Sequence, residues 1–155
     1  MGECSMAIDR AAAWQVREAA RANAGPLAAK VFRYNELIEQ VVNAAKQPGF
    51  TADAWKALEE VIDPVNFERV GNYKEVMDWP AYIAMLTAWG TTTEFWSNFR
   101  RISESGNCVF LELEEHNTPK DGKESVVNSL SLYEFDSDGR IIHLDIYLQI
   151  APDGG

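Results

Sequence analysis

The chain has 155 residues, of which 46% are hydrophobic and 25% charged, enough for one ordinary domain with a buried core. Fourteen basic residues against 24 acidic ones leave a net charge of −10. That balance argues against nucleic acid and anionic membrane as partners, since both demand clustered Lys and Arg. No apolar run approaches the roughly 20 residues of a membrane span, and the opening MGECSMAIDR lacks a basic-then-apolar leader. Cys4 and Cys108 cannot form a disulfide framework, so a reducing cytoplasm is the expected location.

An Ala-rich stretch over about 6–23 reads as a weakly striped helix. From Leu27, the residues Val31, Tyr34, Ile38, Val41 and Ala45 recur in steps of four and three. This is one apolar face of a helix, ended by Gln47-Pro48-Gly49. Thr51 or Asp53 can cap a second helix carrying Trp55, Leu58 and Ile62, which stops near Asp63-Pro64. Asp78 caps a third, with Pro80 in the first turn, Trp79, Tyr82, Ile83, Leu86 and Trp89 on one face, and Gly90 at its end.

After Gly90 the period changes. Residues 92–104 and 107–116 are rich in β-branched and aromatic side chains and are joined at Ser105-Gly106. Two further strands, 124–135 and 140–150, are set off by Pro119-Lys120-Asp121-Gly122 and Asp136-Ser137-Asp138-Gly139. Helices first and an antiparallel meander afterwards predict an α+β architecture with the helices on one sheet face. The expected organisation is an extension over 1–26, one domain over 27–150 and an unstructured tail over 151–155.

Three segments carry a resemblance. The run Asp63-Pro-Val-Asn-Phe-Glu-Arg-Val-Gly71, the hairpin Tyr133-Glu-Phe-Asp-Ser-Asp-Gly-Arg-Ile141 and the ending Leu144-Asp-Ile-Tyr-Leu-Gln149 resemble the NTF2-like, or SnoaL-like, superfamily over about residues 30–150. The resemblance implies a cystatin-like cone, in which a strongly curved sheet wraps helices and leaves a pocket at its wide end. Members include polyketide cyclases, ketosteroid isomerases, scytalone dehydratases and limonene-type epoxide hydrolases, alongside modules that only bind or dimerise. A shared fold therefore leaves the chemistry open.

Two registers compete on the last strand. Counting forward from Gly139, as in isomerase-like and hydrolase-like members, places Leu144, Ile146 and Leu148 inward. Aligning His143-Leu-Asp145 with the His-x-Asp of polyketide cyclases instead turns His143 and Asp145 inward, at the cost of a one-residue shift. The first register fits without a gap and is the expected one. The same counting sends Glu115 inward, where epoxide-hydrolase members carry an acid-side aspartate, whereas their neighbouring arginine corresponds to Leu113. Arg69 falls near the isomerase's general-base aspartate with the opposite charge, and the isomerase's oxyanion aspartate corresponds to Ser131. Its tyrosine donor corresponds to an apolar position near Val41.

The expected catalytic candidates are Glu115 first, then Asp145 with His143, and Arg69 as a rigid donor fork. An ion pair of Arg69 with Glu68 or Glu115 is the plain alternative, as is a solvated strand face for Glu112, Glu114 and Glu115. Phe67, Tyr73, Trp79, Tyr82, Trp89 and Phe99 would make an apolar lining with Leu144, Ile146 and Leu148, and Ser129, Ser131 and Tyr133 would add hydroxyls. With two histidines and no Cys-x-x-Cys or His-x-x-x-His spacing, no metal site and no cofactor is implied. The expected activity is isomerase, cyclase or dehydratase chemistry on an apolar polycyclic or aromatic ketone or alcohol. The alternatives are an epoxide-opening enzyme and a non-catalytic binding or dimerisation module. The expected partners are a small hydrophobic ligand and a second copy bound through the outer sheet face.

Overall fold

The computed structural model describes residues 10–152. Helix α1 (Arg10–Ala22) precedes α2 (Pro26–Ala44), a 3-10 helix (Ala52–Glu60) and the short strands β1 (Glu68–Val70) and β2 (Val76–Asp78). Helix α3 (Trp79–Thr92) then leads into β3 (Thr93–Ser105), β4 (Cys108–Pro119), β5 (Ser125–Phe135) and β6 (Ile141–Gln149). One six-stranded sheet runs β2-β1-β6-β5-β4-β3. The last four strands form the expected antiparallel meander, while β1 lies parallel to β6 and antiparallel to β2. This is an α+β fold.

Local chemistry explains where the elements begin and end. Pro26 opens α2, whose free amide groups at Leu27 and Ala28 donate to the Glu104 carboxylate at the far end of β3. Asp78 caps α3 by accepting from the Ala81 amide. Gly90 does not end that helix, which runs on to Thr92. Its bare Cα instead lets α3 approach Trp55, since a Cβ there would lie 3.1 Å from the indole Cζ2. The Thr91 and Thr92 hydroxyls bond back to carbonyls of the last turn, and Thr93 turns extended. The segment expected as a second α-helix is a 3-10 helix, which still buries Trp55 and Leu58 completely.

The core lies between α2, α3 and the inward sheet face. Val31, Phe32, Leu37, Val41, Leu58, Val109, Leu111, Phe135 and Leu144 are all buried there. Helix α1 packs on β3 and α2 through buried Ala13 and the ion pairs Arg17–Glu39 and Arg21–Glu36. No helix among the described residues is long and apolar enough to cross a membrane.

Candidate active site

Strand alternation decides which side chains reach the interior. On β6, Leu144, Ile146 and Leu148 face α2 and α3, and on β1 the partner of Leu144 is Arg69. Glu115 projects inward from β4, and Ser129, Ser131 and Tyr133 do so from β5. The helices contribute Tyr34 and Ile38 from α2 and Tyr82, Leu86 and Trp89 from α3. Between them lies a cavity of about 380 Å³. A cleft of about 660 Å³ between α1, α2 and β3 is larger, but its ionisable groups Arg17 and Glu39 pair with each other.

The cavity concentrates polar groups on an apolar wall. Burial pushes the Glu115 carboxyl above its usual range, only partly offset by the Ser129 hydroxyl and the Arg69 charge. The Arg69 guanidinium lies over the Tyr82 ring, with Cζ 5.3 Å from the centroid. Its Nε is buried without a hydrogen-bond acceptor. The alternative of a salt bridge with Glu68 or Glu115 is not seen among the described residues: Glu68 faces outward and pairs with His143, and Glu115 feels the Arg69 charge without a salt bridge. The hydroxyls of Tyr34 and Tyr82 are 2.6 Å apart. Burial raises the phenols of Tyr34, Tyr82 and Tyr133 above their ordinary value, so all three remain neutral, and one hydroxyl of the Tyr34–Tyr82 pair donates to the other. At the rim, the Trp89 indole N–H donates to Asn117 at 3.0 Å.

Several expected residues lie elsewhere. His143 and Asp145 sit on the outer sheet face, bonded to each other at 2.9 Å, because they alternate with Leu144 and Ile146. Tyr73 is 79% exposed in the β1–β2 loop and is not part of the lining. Phe67 stacks on Tyr82 and meets the edge of Trp79, whose indole donates to Glu59, so both are buried supports beneath the tyrosine rather than cavity wall. Phe99 packs on Phe32 in the core beyond the cavity. Ser129 is buried beside Glu115, off the open lining.

The expected solvated face of the acidic run is also corrected. Glu114 is only 8% exposed on the outer face, where it accepts from Asn98 and bonds His116, whose ring stacks on Trp96. Burial opposes its ionisation, but Asn98, His116 and Arg100 together hold its carboxyl below the usual range. Among the described residues, no group of three or more His, Cys, Asp or Glu is placed to hold a metal ion.

Sequence reading missed Tyr34, which appeared only as one member of an apolar helix stripe. Its signal was the hydroxyl itself, since a buried tyrosine on a core-facing stripe needs a polar partner. Asn35, Met85, Phe95 and Val127 complete the wall and carried no motif.

Solved structures share this architecture. A SnoaL-like protein of Jannaschia sp. CCS1, assigned by name to the polyketide cyclases, matches with a TM-score of 0.58 at 16% identity, covering 81% of this chain and 90% of that one. The chain has the NTF2-like fold. A steroid delta-isomerase of Pseudomonas aeruginosa matches with a TM-score of 0.55 at 18% identity, over 83% of this chain and 82% of that one. An LEH-like epoxide hydrolase of M. tuberculosis matches at 0.57 and 15%, over 78% and 84%. No protein-family model matches the sequence, and no curated protein shows significant similarity to it. Cyclases, isomerases and epoxide hydrolases thus share this NTF2-like cone, and identities this low speak to the fold alone.

Proposed function

We propose that the protein is a small-molecule enzyme of the isomerase, cyclase or dehydratase kind, with Glu115 moving the proton. One observation carries the reading: an inward carboxylate, raised by burial, shares an apolar cavity with Arg69 and the bonded Tyr34–Tyr82 pair. A carboxyl poised nearer neutrality can take a proton from carbon and return it to another atom of the same molecule. The bonded phenols supply a fixed donor for an oxygen that gains charge as the proton leaves, and the Arg69 charge favours an anion in the cavity. The rest of the wall excludes water and accepts a flat ring system.

Solvent-deuterium exchange into the α-carbon of 2-tetralone, followed by NMR, tests the reading. Wild-type protein is expected to accelerate exchange, and Glu115→Gln to lower that acceleration by about 10²–10⁴-fold. Exchange equal in the two proteins, with both folded, would remove Glu115 from the chemistry.

A homodimer through the outer sheet face accompanies this proposal. Phe110 and Tyr147 are exposed there, beside polar and charged neighbours suited to a wet twofold contact. Sedimentation equilibrium at micromolar concentration tests it, and monomer alone would overturn it.

A further inference from the structure

Among the described residues, Arg69 forms no salt bridge. Every other arginine from Arg17 onward finds a carboxylate or carbonyl oxygen. Arg17 pairs with Glu39, Arg21 with Glu36, Arg33 with Glu60, Arg100 with Glu114 and Arg101 with Glu112, and Arg140 donates to the carbonyls of Glu59 and Ile62. Among the described residues, Arg69 has neither a carboxylate nor a carbonyl partner, and its Nε is buried with no acceptor. The chain has 24 acidic residues, so carboxylates are not scarce.

Arg69 is half-buried with its Nε shut off from solvent, so an anion at the cavity side of the guanidinium would be favoured. A buried charge is normally paired, because low-dielectric surroundings penalise an uncompensated ion. The Tyr82 ring lies beneath the guanidinium and its neutral hydroxyl accepts a hydrogen bond from it, but neither supplies a counter-charge. Glu115, the carboxylate on the cavity wall, feels the Arg69 charge but makes no salt bridge with it. The neutral phenols of Tyr34 and Tyr82 lie beside the cation, and Leu144, Ile146 and Leu148 on the adjoining strand make the neighbouring wall apolar. A cationic fork flanked by phenols and hydrocarbon matches one ligand chemistry. That chemistry is a carboxylate on a flat apolar body, held by charge-assisted hydrogen bonds.

We propose that Arg69 is the anchor for the carboxylate of a planar organic acid, so that the preferred substrate carries an acid group apart from its reacting carbon. This rests on the cavity at Glu115 being the reactive site. In the bound complex the acid group neutralises Arg69, and Glu115 acts on a different atom of the same ligand.

Calorimetric titration at about pH 8, where an aromatic acid is fully ionised and Arg remains charged, compares 2-naphthoate with 2-naphthamide, its neutral counterpart of the same shape. Wild-type protein is expected to bind the naphthoate at least about tenfold more tightly, the order by which charged hydrogen bonds exceed neutral ones. Arg69→Gln is expected to abolish that preference, and Arg69→Lys to keep part of it. Equal binding of the two probes by wild-type protein would overturn the inference without recourse to any variant. An unchanged naphthoate preference in folded Arg69→Gln would do the same. Failure of both probes to bind would overturn the cavity as a ligand site, and the proposed function with it. An acid preference without ketone exchange would leave the anchor standing and remove only the catalytic reading.

Discussion

Tyr34 and Tyr82, 48 residues apart, meet hydroxyl to hydroxyl at 2.6 Å inside the protein. The contact ties α2 to α3 at the cavity floor, and each ring is also held by an aromatic neighbour: Tyr133 edge-on to Tyr34, and Phe67 stacked on Tyr82. The pair is therefore a structural joint as well as a donor site.

The two hydroxyls should be coupled in stability. Tyr34→Phe keeps the ring but takes one of two partners from the buried Tyr82 hydroxyl, leaving the Arg69 contact, a loss of about 0.5–1.5 kcal/mol. Adding Tyr82→Phe removes that hydroxyl as well, so the double variant is expected to be less destabilised than the sum of the two singles. Urea unfolding of all four proteins measures the coupling. Strict additivity would mean that the two hydroxyls do not depend on one another.

The Glu115 carboxyl makes stability depend on pH in a defined direction. Its value is raised in the folded protein by burial, so the folded state holds this proton where the unfolded state, near 4.5, has released it. Folding stability should then fall as pH rises from the ordinary carboxylate range through the raised value, and level off above it. Glu115→Gln removes the penalty. The variant is expected to be more stable than wild type at neutral pH, with the gain vanishing below the ordinary carboxylate value. Denaturant melts from pH 4 to pH 8 test this, and a variant less stable at every pH would contradict it.

Much of this architecture was legible in the sequence because it rests on period. The four-and-three spacing of Leu27, Val31, Tyr34, Ile38 and Val41 gave α2, and the alternation of Leu144, Ile146 and Leu148 with His143, Asp145 and Tyr147 gave the β6 register that places Glu115 and Leu144 on one side. Turn chemistry located the β4–β5 and β5–β6 connections. What escaped was set by partners distant in the chain. The strand β2 is three residues long and exists through pairing with β1. Gly90 signals a helix end by type but is required by the approach of Trp55. Tyr73 and Phe99 have the right chemistry for a lining, and only the path of the β1–β2 loop and the packing under α1 remove them from it.

Gly90 itself is open to test. Alanine there gains helix propensity of about 1 kcal/mol, but its methyl would meet a fully buried indole at 3.1 Å. Overpacking of a filled core costs about 1–3 kcal/mol, so Gly90→Ala should be neutral to destabilising and Gly90→Val clearly worse. Coupling the change with Trp55→Phe should recover part of the loss, measured by thermal unfolding. A stabilised Gly90→Ala would show that Trp55 moves aside freely.

The outer-face pair His143–Asp145 supplies the sharpest contrast with Glu115. The two are hydrogen-bonded at 2.9 Å, and His143 also pairs with Glu68, so they form a closed cluster on the face opposite the cavity. Neither side chain lines the cavity, whereas both flanking residues, Leu144 and Ile146, do. Asp145→Asn is therefore expected to leave tetralone exchange within about twofold of wild type, since a removed acid or base that served the chemistry would cost about 10²–10⁴-fold. Any loss of stability should be within about 1 kcal/mol, the usual worth of a partly exposed ion pair. Exchange rates and urea midpoints measured side by side on Asp145→Asn and Glu115→Gln decide which face of the sheet carries proton transfer. An inactive Asp145→Asn beside an active Glu115→Gln would place the chemistry on the outer face, where a second subunit would have to complete the site.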